Sequence, residues 1–422
     1  MGVILFISFA ILLILTVPIG IALGLSSMIA LLVSGSIPLE FIMKEMTTSA
    51  NSFPLLAIPF FILAGEIMGK GGISTRLIAV AESLVGSVTG GLALTAIVTC
   101  MFFAAISGSG PATVAAVGGI MIPAMVKKGY DIKFSTAVVA SAGSIGVIIP
   151  PSIPMVMYGV SGSVSIGDMF IAGIIPGILV GLGLMVYAFY YSKKAGYKGA
   201  AEKISFLNIM KQIWRAKWSL LIPVIILGGI YGGIFTPTEA AAVAVFVGFI
   251  IGAFVYRELK MKDITGVFID SALMTATILI IVGSATAFGK LLAMEQIPNK
   301  IATAMLSVSS NQTVIILLIM VLLLIVGCFM DTIAAIIILT PILLPIAVQV
   351  GYDPIHFGII MIVALAIGFI TPPVGVNLFV GASISGISLE ALSRKIIPFI
   401  IVMTIVLFFI TFIPYLSLAF LK

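Results

Sequence analysis

The sequence predicts an all-α polytopic membrane protein made of two inverted copies of one unit, each with about five transmembrane helices and one re-entrant helical hairpin. Three observations predict it: a composition too apolar for a soluble fold, turn and breaker residues that recur at a fixed offset, and a lopsided distribution of basic residues.

Of 422 residues, 61% are hydrophobic and 9% charged, where an ordinary soluble domain carries about 25% charged residues. Apolar stretches of roughly 17 to 25 residues recur along the chain, the length that crosses about 30 Å of hydrocarbon as helix. An outer-membrane barrel would instead alternate apolar and polar residues at far lower hydropathy. The net charge of +6 is read as topology, because basic residues collect in cytoplasmic loops. Cys100 and Cys328 stand alone in apolar segments and read as free thiols. The start, Met1-Gly2-Val3-Ile4-Leu5, lacks a basic leader and reads as the first transmembrane helix rather than a cleaved signal.

The repeat is carried by breakers. Gly129-Tyr130-Asp131 recurs 222 residues later (351 − 129) as Gly351-Tyr352-Asp353. In the same register Pro123 falls on Pro345, Gly146 on Gly368, Pro150-Pro151 on Pro372-Pro373, and Ile174-Ile175-Pro176 on Ile396-Ile397-Pro398; Ser49-Ala50 also matches Ser271-Ala272. One such match means little in a chain this rich in glycine and proline; a set held over about 50 positions is a duplication.

The first repeat, 1–191, parses into helices near 3–17, 18–35 and 52–69, short apolar segments near 90–106 and 111–126, a broken segment at 134–160 and a helix at 168–191. The second, 218–422, parses into 218–233, 236–256, 267–289, short segments near 311–327 and 332–349, a broken segment at 355–385 and a helix at 396–420. The short segments would be roughly 24 Å long as helix, which favours a hairpin (90–126 and 311–349) over two full spans. Five crossings per half invert the second copy. With the 192–217 linker in the cytoplasm, 17 of the 21 basic residues fall inside and only Lys44, Lys290, Lys300 and Lys422 outside. That linker sets Ile204, Phe206, Leu207, Ile209, Met210, Ile213, Trp214 and Trp218 against Lys203, Lys211, Arg215 and Lys217 at helical spacing, the pattern of an amphipathic helix in the cytoplasmic interface. It serves either as a plain connector or as an arm bracing a moving part. A shorter candidate of the same kind covers Glu40 to Met46 on the other side.

Hairpins entering from opposite faces bring two tips towards the midplane: Ser107-Gly108-Ser109-Gly110-Pro111-Ala112-Thr113 and Gly327-Cys328-Phe329-Met330-Asp331-Thr332. Glycine allows the backbone angles of a tight reversal, and helix ends at a tip offer unpaired carbonyls and N–H groups. Oxygen clusters of this kind suit hard cations, and helix N-termini suit a carboxylate. The broken segments, Ser144-Ile145-Gly146-Val147-Ile148-Ile149-Pro150-Pro151-Ser152-Ile153-Pro154 and Gly368-Phe369-Ile370-Thr371-Pro372-Pro373-Val374-Gly375-Val376-Asn377, cannot be continuous helix. Each is either a structural kink or unwound backbone lining a cavity, and the symmetric pair facing two tips favours the cavity. Asp331 is the sharpest residue, since an acid inside an apolar hairpin is costly. It could be a cation ligand, a proton carrier, an orienter of the tip, or a helix N-cap beside Thr332. Glu66 is a weaker candidate, and His356, after a proline, reads as an interfacial residue without a catalytic role.

The two tip motifs, the Ile149-Pro150-Pro151-Ser152 break and Thr371-Pro372-Pro373-Val374-Gly375-Val376-Asn377 together resemble the large M subunit of TRAP transporters, over essentially the whole chain. The resemblance implies an elevator-type transporter of the bacterial inner membrane that imports a small organic acid, sialic acid or a C4-dicarboxylate, on a sodium gradient. It implies two partners: a small four-helix Q subunit, here a separate polypeptide, and a periplasmic substrate-binding protein. Carried over residue by residue, it implies one sodium site at Ser107, Ser109, Gly110, Ser144 and Gly146, and another at Gly327, Met330, Asp331, Thr332, Thr371 and Gly375. Substrate would lie near Ser109, Asp331, Thr371 and Asn377. Some members carry an arginine near the stretch Leu292–Pro298; here Met294 occupies the position, leaving Lys290 as the possible substitute.

The rival within transporters is a stand-alone ion-coupled dicarboxylate carrier, and a channel is disfavoured by inverted repeats with broken helices. Enzyme readings fare worse. The two Gly-Tyr-Asp sequences mimic an intramembrane aspartyl protease signature but occupy equivalent loop positions of a duplication, and Ser107-Gly108-Ser109-Gly110 has no base, since His356 is the one histidine and lies outside the tips.

Overall fold

The computed structural model describes residues 1–35, 37–199, 205–308 and 311–421, and every regular element among them is helical. In chain order these are α1 (Gly2–Ile14), α2 (Ile19–Ser34), α3 (Glu40–Ala50), α4 (Ala57–Lys70, entered through a 3-10 turn at Phe53–Leu56) and α5 (Ile73–Val85). Then come the hairpin α6 (Gly91–Ser107) and α7 (Gly110–Lys127), α8 (Ile132–Gly143, ending in a 3-10 turn at Ser144–Val147), α9 (Ile153–Gly162) and α10 (Ile166–Ala195). After α11 (Phe206–Arg215) follow α12 (Lys217–Tyr231), α13 (Pro237–Ile250, running into a π turn at Ile251–Val255), α14 (Met261–Met294) and α15 (Ile297–Val308). The hairpin α16 (Gln312–Phe329) and α17 (Thr332–Gln349), then α18 (Pro354–Gly368), α19 (Val376–Ser385), α20 (Leu389–Phe412) and the single-turn α21 (Tyr415–Leu418), complete the order.

Among the described residues eight helices are long and apolar enough to cross a membrane, or nine if α11 and α12, which meet at 69°, count as one bent span. Both arms of the second hairpin and one arm of the first are among the eight. At 18 residues such an arm is about 27 Å long, so length alone does not separate a hairpin from a pair of spans.

The Gly-Tyr-Asp sequences acquire a physical meaning. Gly129 and Gly351 take φ of 84° and 91°, a left-handed turn that suits glycine. Asp131 and Asp353 then cap α8 and α18, accepting from the N–H of Lys133 at 2.9 Å and of Ile355 at 2.8 Å. The breaks correspond too, with cis peptides at Pro150-Pro151 and Pro372-Pro373. Just after them the register is offset by one, since α9 and α19 start 223 residues apart (376 − 153) and so do the caps Ser165 and Ser388 of α10 and α20, before Pro176 and Pro398 restore 222.

The two helices that lead into the breaks form the centre. Every residue of α8 from Phe134 to Gly143 is buried, as is every residue of α18 from His356 to Gly368; helices apolar all round belong in such interiors. α7 packs on α8 and α19, α16 on α18, and α17 on α9 and α14. At the rim, ion pairs tie the first half to α14 at both of its ends: Lys70 to Asp270 at 3.2 Å and Glu45 to Lys290.

Some expectations meet differences. α5 and α15 are additional helices that the apolar pattern did not mark. His356 is not interfacial: it sits in the first turn of α18, 1% exposed, with Nε2 3.3 Å from the Thr411 carbonyl oxygen of α20. α11 has no buried residue and exposes Phe206, Leu207, Met210 and Trp214, with Lys217 Nζ 3.9 Å from the centre of the Trp214 ring. Lys203, Ile204 and Lys422 lie outside the described residues.

Candidate functional site

The first tip is a reversal at Gly108, whose φ of 59° turns the chain between α6 and α7. A Cβ on Gly108 would stand 2.9 Å from the Pro151 carbonyl oxygen, and its own carbonyl accepts from Ile153 N–H at 3.3 Å. The tip is therefore docked backbone to backbone on the first break. Ser109 is extended and caps α7. Thr113 Oγ1 donates to the Ser109 carbonyl at 2.7 Å and lies 2.8 Å from Ser107 Oγ. Gly146 presses on the same group: a Cβ there would come within 2.6 Å of the Ser109 carbonyl oxygen. Ser107, Ser109, Gly110 and Gly146 thus gather around one knot of carbonyl and hydroxyl oxygens.

Ser144 joins through Asn377, which reaches across from the second half. Asn377 Nδ2 donates to the Ala140 carbonyl and to Ser144 Oγ, both at 3.1 Å. Because the Ala140 carbonyl only accepts, the amide orientation is set, and Asn377 Oδ1 is turned towards Gly110, 3.2 Å from where a Cβ would stand. Asn377 is fully buried and Oδ1 has no hydrogen-bond partner.

The second tip is built differently. α16 ends at Phe329, Met330 and Asp331 are extended, and Asp331 Oδ2 accepts from Ile333 N–H at 2.9 Å, capping α17. Thr332 is buried and its Oγ1 lacks a partner. Gly327 is pressed against Gly368, where a Cβ would fall 2.3 Å from the Gly327 carbonyl carbon and oxygen. Thr371 Oγ1 donates to the Ile367 carbonyl at 2.8 Å, Gly375 (φ 53°) starts α19, and Asn377 N–H closes the break onto the Phe369 carbonyl at 3.0 Å.

Both tips open into one cavity of about 430 Å³, floored by Ser109 and Gly110 on one side and Asp331 and Thr332 on the other, with Phe369 between them and α14 as the outer wall. Of the residues expected at substrate, Ser109 and Asp331 line it and Thr371 and Asn377 do not. The α14 wall, including Met274 and Thr277, had no sequence signal: it reads as uninterrupted apolar helix. A second cavity of about 270 Å³ lies behind the first tip, where Glu66 and Lys70 of α4 share a wall with Ser107 and Ser109. Lys290 lines a third, of about 340 Å³, and is paired with Glu45 there rather than turned to the tips.

Chemically, the tips present main-chain carbonyls, hydroxyls and one carboxylate. Among the described residues no three His, Cys, Asp or Glu side chains cluster as a transition metal would require. The set suits a hard cation held by oxygen, and the N-termini of α7 and α17 face the same cavity, where helix dipoles favour an anion.

The chain is similar to known proteins over most of its length. The family described as the tripartite ATP-independent periplasmic transporter, DctM component, matches residues 6–416. The isethionate TRAP transporter permease protein DctMQ of Oleidesulfovibrio alaskensis is 52% identical over 406 residues, spanning 96% of this chain and 64% of that protein. The C4-dicarboxylate TRAP transporter large permease protein DctM of Pseudomonas aeruginosa is 42% identical over 398 residues, 94% of this chain and 93% of that one. Among solved structures the Alcanivorax borkumensis YdaH transporter superposes with a TM-score of 0.63 at 16% identity, over 90% of this chain and 88% of that one, a likeness of fold.

Proposed function

The chain belongs to the DctM family of tripartite ATP-independent periplasmic transporters and is a multi-pass permease component rather than an enzyme; from that premise we propose that it imports a small organic acid with sodium, in concert with a periplasmic binding protein and a small Q subunit in the bacterial inner membrane. The observation that carries the sodium reading is a pair of orphaned oxygens. Asn377 Oδ1 at the first tip and Thr332 Oγ1 at the second are buried without a hydrogen-bond partner. Leaving such a group unsatisfied costs about 1–3 kcal/mol, and a cation held by the neighbouring carbonyls removes that cost.

On this reading Ser107, Ser109, Gly110, Ser144 and Gly146 make one sodium site, with Asn377 added to it from behind. Gly327, Met330, Asp331, Thr332, Thr371 and Gly375 make the other. Substrate lies between Ser109 and Asp331, its negative charge offset by the two cations and the two helix N-termini. The hairpins and breaks move as one body against α14, carrying the cavity from one face to the other. Names of the relatives favour a small anion such as isethionate or a C4-dicarboxylate, with sialic acid third.

Uptake of labelled isethionate, succinate and sialic acid into proteoliposomes holding the chain tests this. The expected result is sodium-driven uptake of one of the first two that needs both the Q subunit and the matching binding protein. Equal uptake by the chain alone would replace the three-component reading with an autonomous carrier.

A further inference from the structure

A cavity of about 590 Å³, with no lining residue in common with the one at the tips, lies where the start of α8, the end of α10 and the start of α20 converge. Its lining carries three cations, Lys133, Arg394 and Lys395, and one acid, Glu390. On α20, Arg394 pairs with Glu390 one turn away at 2.9 Å. From the α8 cap, Asp131 stands 3.8 Å from Lys395. α10 contributes no acid to the lining, only Tyr187 and Tyr191, and it ends on Lys193 and Lys194. The lining keeps a net positive charge.

The tyrosines suit the cavity to a membrane interface. Lys395 Nζ donates to Tyr191 Oη at 3.0 Å and lies 5.1 Å from the centre of its ring, and tyrosine pairs an apolar body with a polar end at the depth of lipid headgroups. Beside the cavity, α10 and α20 each carry an exposed apolar stripe. Ile178, Leu182, Val186 and Tyr190 on α10, and Ile397, Ile401, Ile405 and Phe409 on α20, recur every four residues and are all 41–70% exposed. Between them the helices close on each other at Gly183, where a Cβ would stand 3.1 Å from Val402 and Val406. A basic, aromatic-walled head space continued by two outward apolar tracks has the shape of a phospholipid: phosphate among the cations, acyl chains along the stripes.

We propose that this cavity binds the headgroup of an anionic phospholipid. The inference rests on the cytoplasmic placement of these helix ends that the basic-residue bias supports, and not on transport. Lys133 and Arg394 are exposed, so Lys133→Gln and Arg394→Gln leave the packing intact.

The test is native mass spectrometry of the purified full chain titrated with phosphatidylglycerol, with phosphatidylcholine, and with inorganic phosphate as competitor. Lys211→Gln on α11 serves as control for binding elsewhere on the basic face. A cation at a membrane surface adds about fivefold to anionic-lipid affinity, so the double variant should hold its tightest phosphatidylglycerol roughly twenty-fivefold more weakly, with Lys211→Gln leaving that site unchanged. Retention equal in the parent and the double variant, or equal for the two lipids, would overturn the proposal. Displacement by millimolar inorganic phosphate would reassign the site to a soluble anion. Loss of the lipid on co-purification with the Q subunit would hand the stripes to that protein partner.

Discussion

Asp331→Ala is expected to reduce sodium-driven uptake by roughly ten- to a hundredfold, the equivalent of one charge-assisted contact of about 1.5–3 kcal/mol. The residue has two visible duties. It caps α17 through the Ile333 N–H, and it lines the cavity shared by the two tips. Removing the cap alone costs about 0.5–2 kcal/mol of stability, so the alanine variant confounds the two. Asp331→Asn separates them, because an asparagine oxygen caps a helix as well as aspartate does while carrying no charge. If Asp331 serves the cation, the asparagine variant keeps its melting temperature and loses uptake, with the sodium concentration for half-maximal rate moving upwards. If it were a cap only, Asp331→Asn would transport like the parent.

Gly368→Ala is expected to abolish uptake through geometry rather than charge. Its Cβ would lie 2.3 Å from the carbonyl of Gly327, a backbone group that no rotamer change can move aside, so the second tip must shift off the break. Overpacking of this kind costs about 1–3 kcal/mol, and displacement of the tip by a fraction of an ångström would also pull the carbonyls away from the cation proposed to bind there. Gly146→Ala should act likewise on the first tip, more mildly at 2.6 Å from the Ser109 carbonyl oxygen. Gly119→Ala in α7 is the control: nothing stands within 4 Å of its Cβ, and alanine in a helix interior gains about 0.5–1 kcal/mol over glycine. Uptake and melting temperature of the three variants, measured side by side, should fall for the first two and hold or rise for the third.

The parts of the fold that were legible are those written in residues with strong local physics. The recurring Gly-Tyr-Asp marked two equivalent loops, proline pairs marked both breaks, and Ser-Gly-Ser-Gly-Pro and Met-Asp-Thr marked the tips. Elements written in ordinary residues were not. α5 and α15 are amphipathic helices too short to register as spans, and the one-residue slip after the breaks adds no breaker of its own. The α14 wall looks like any lipid-facing helix until its neighbours are in place. Asn377 shows the limit most clearly: its position beside the second break was evident, but its hydrogen bonds to Ala140 and Ser144 depend on how helices more than 230 residues apart in sequence pack. The buried place of His356 is of the same kind, since Thr411, 55 residues away, supplies its partner.

Sodium binding at the two tips is tested most directly by titrating the purified chain, without partners or substrate, with sodium chloride against potassium and choline chlorides at constant ionic strength while following thermal unfolding. A ligand at ten times its dissociation constant stabilises the native state by about 1.4 kcal/mol per site. The expected result is a saturable rise in melting temperature specific to sodium, halved in Ser107→Ala and in Asp331→Asn and absent when both are combined. An equal rise with potassium, or an undiminished sodium response in the double variant, would contradict the assignment of the tips.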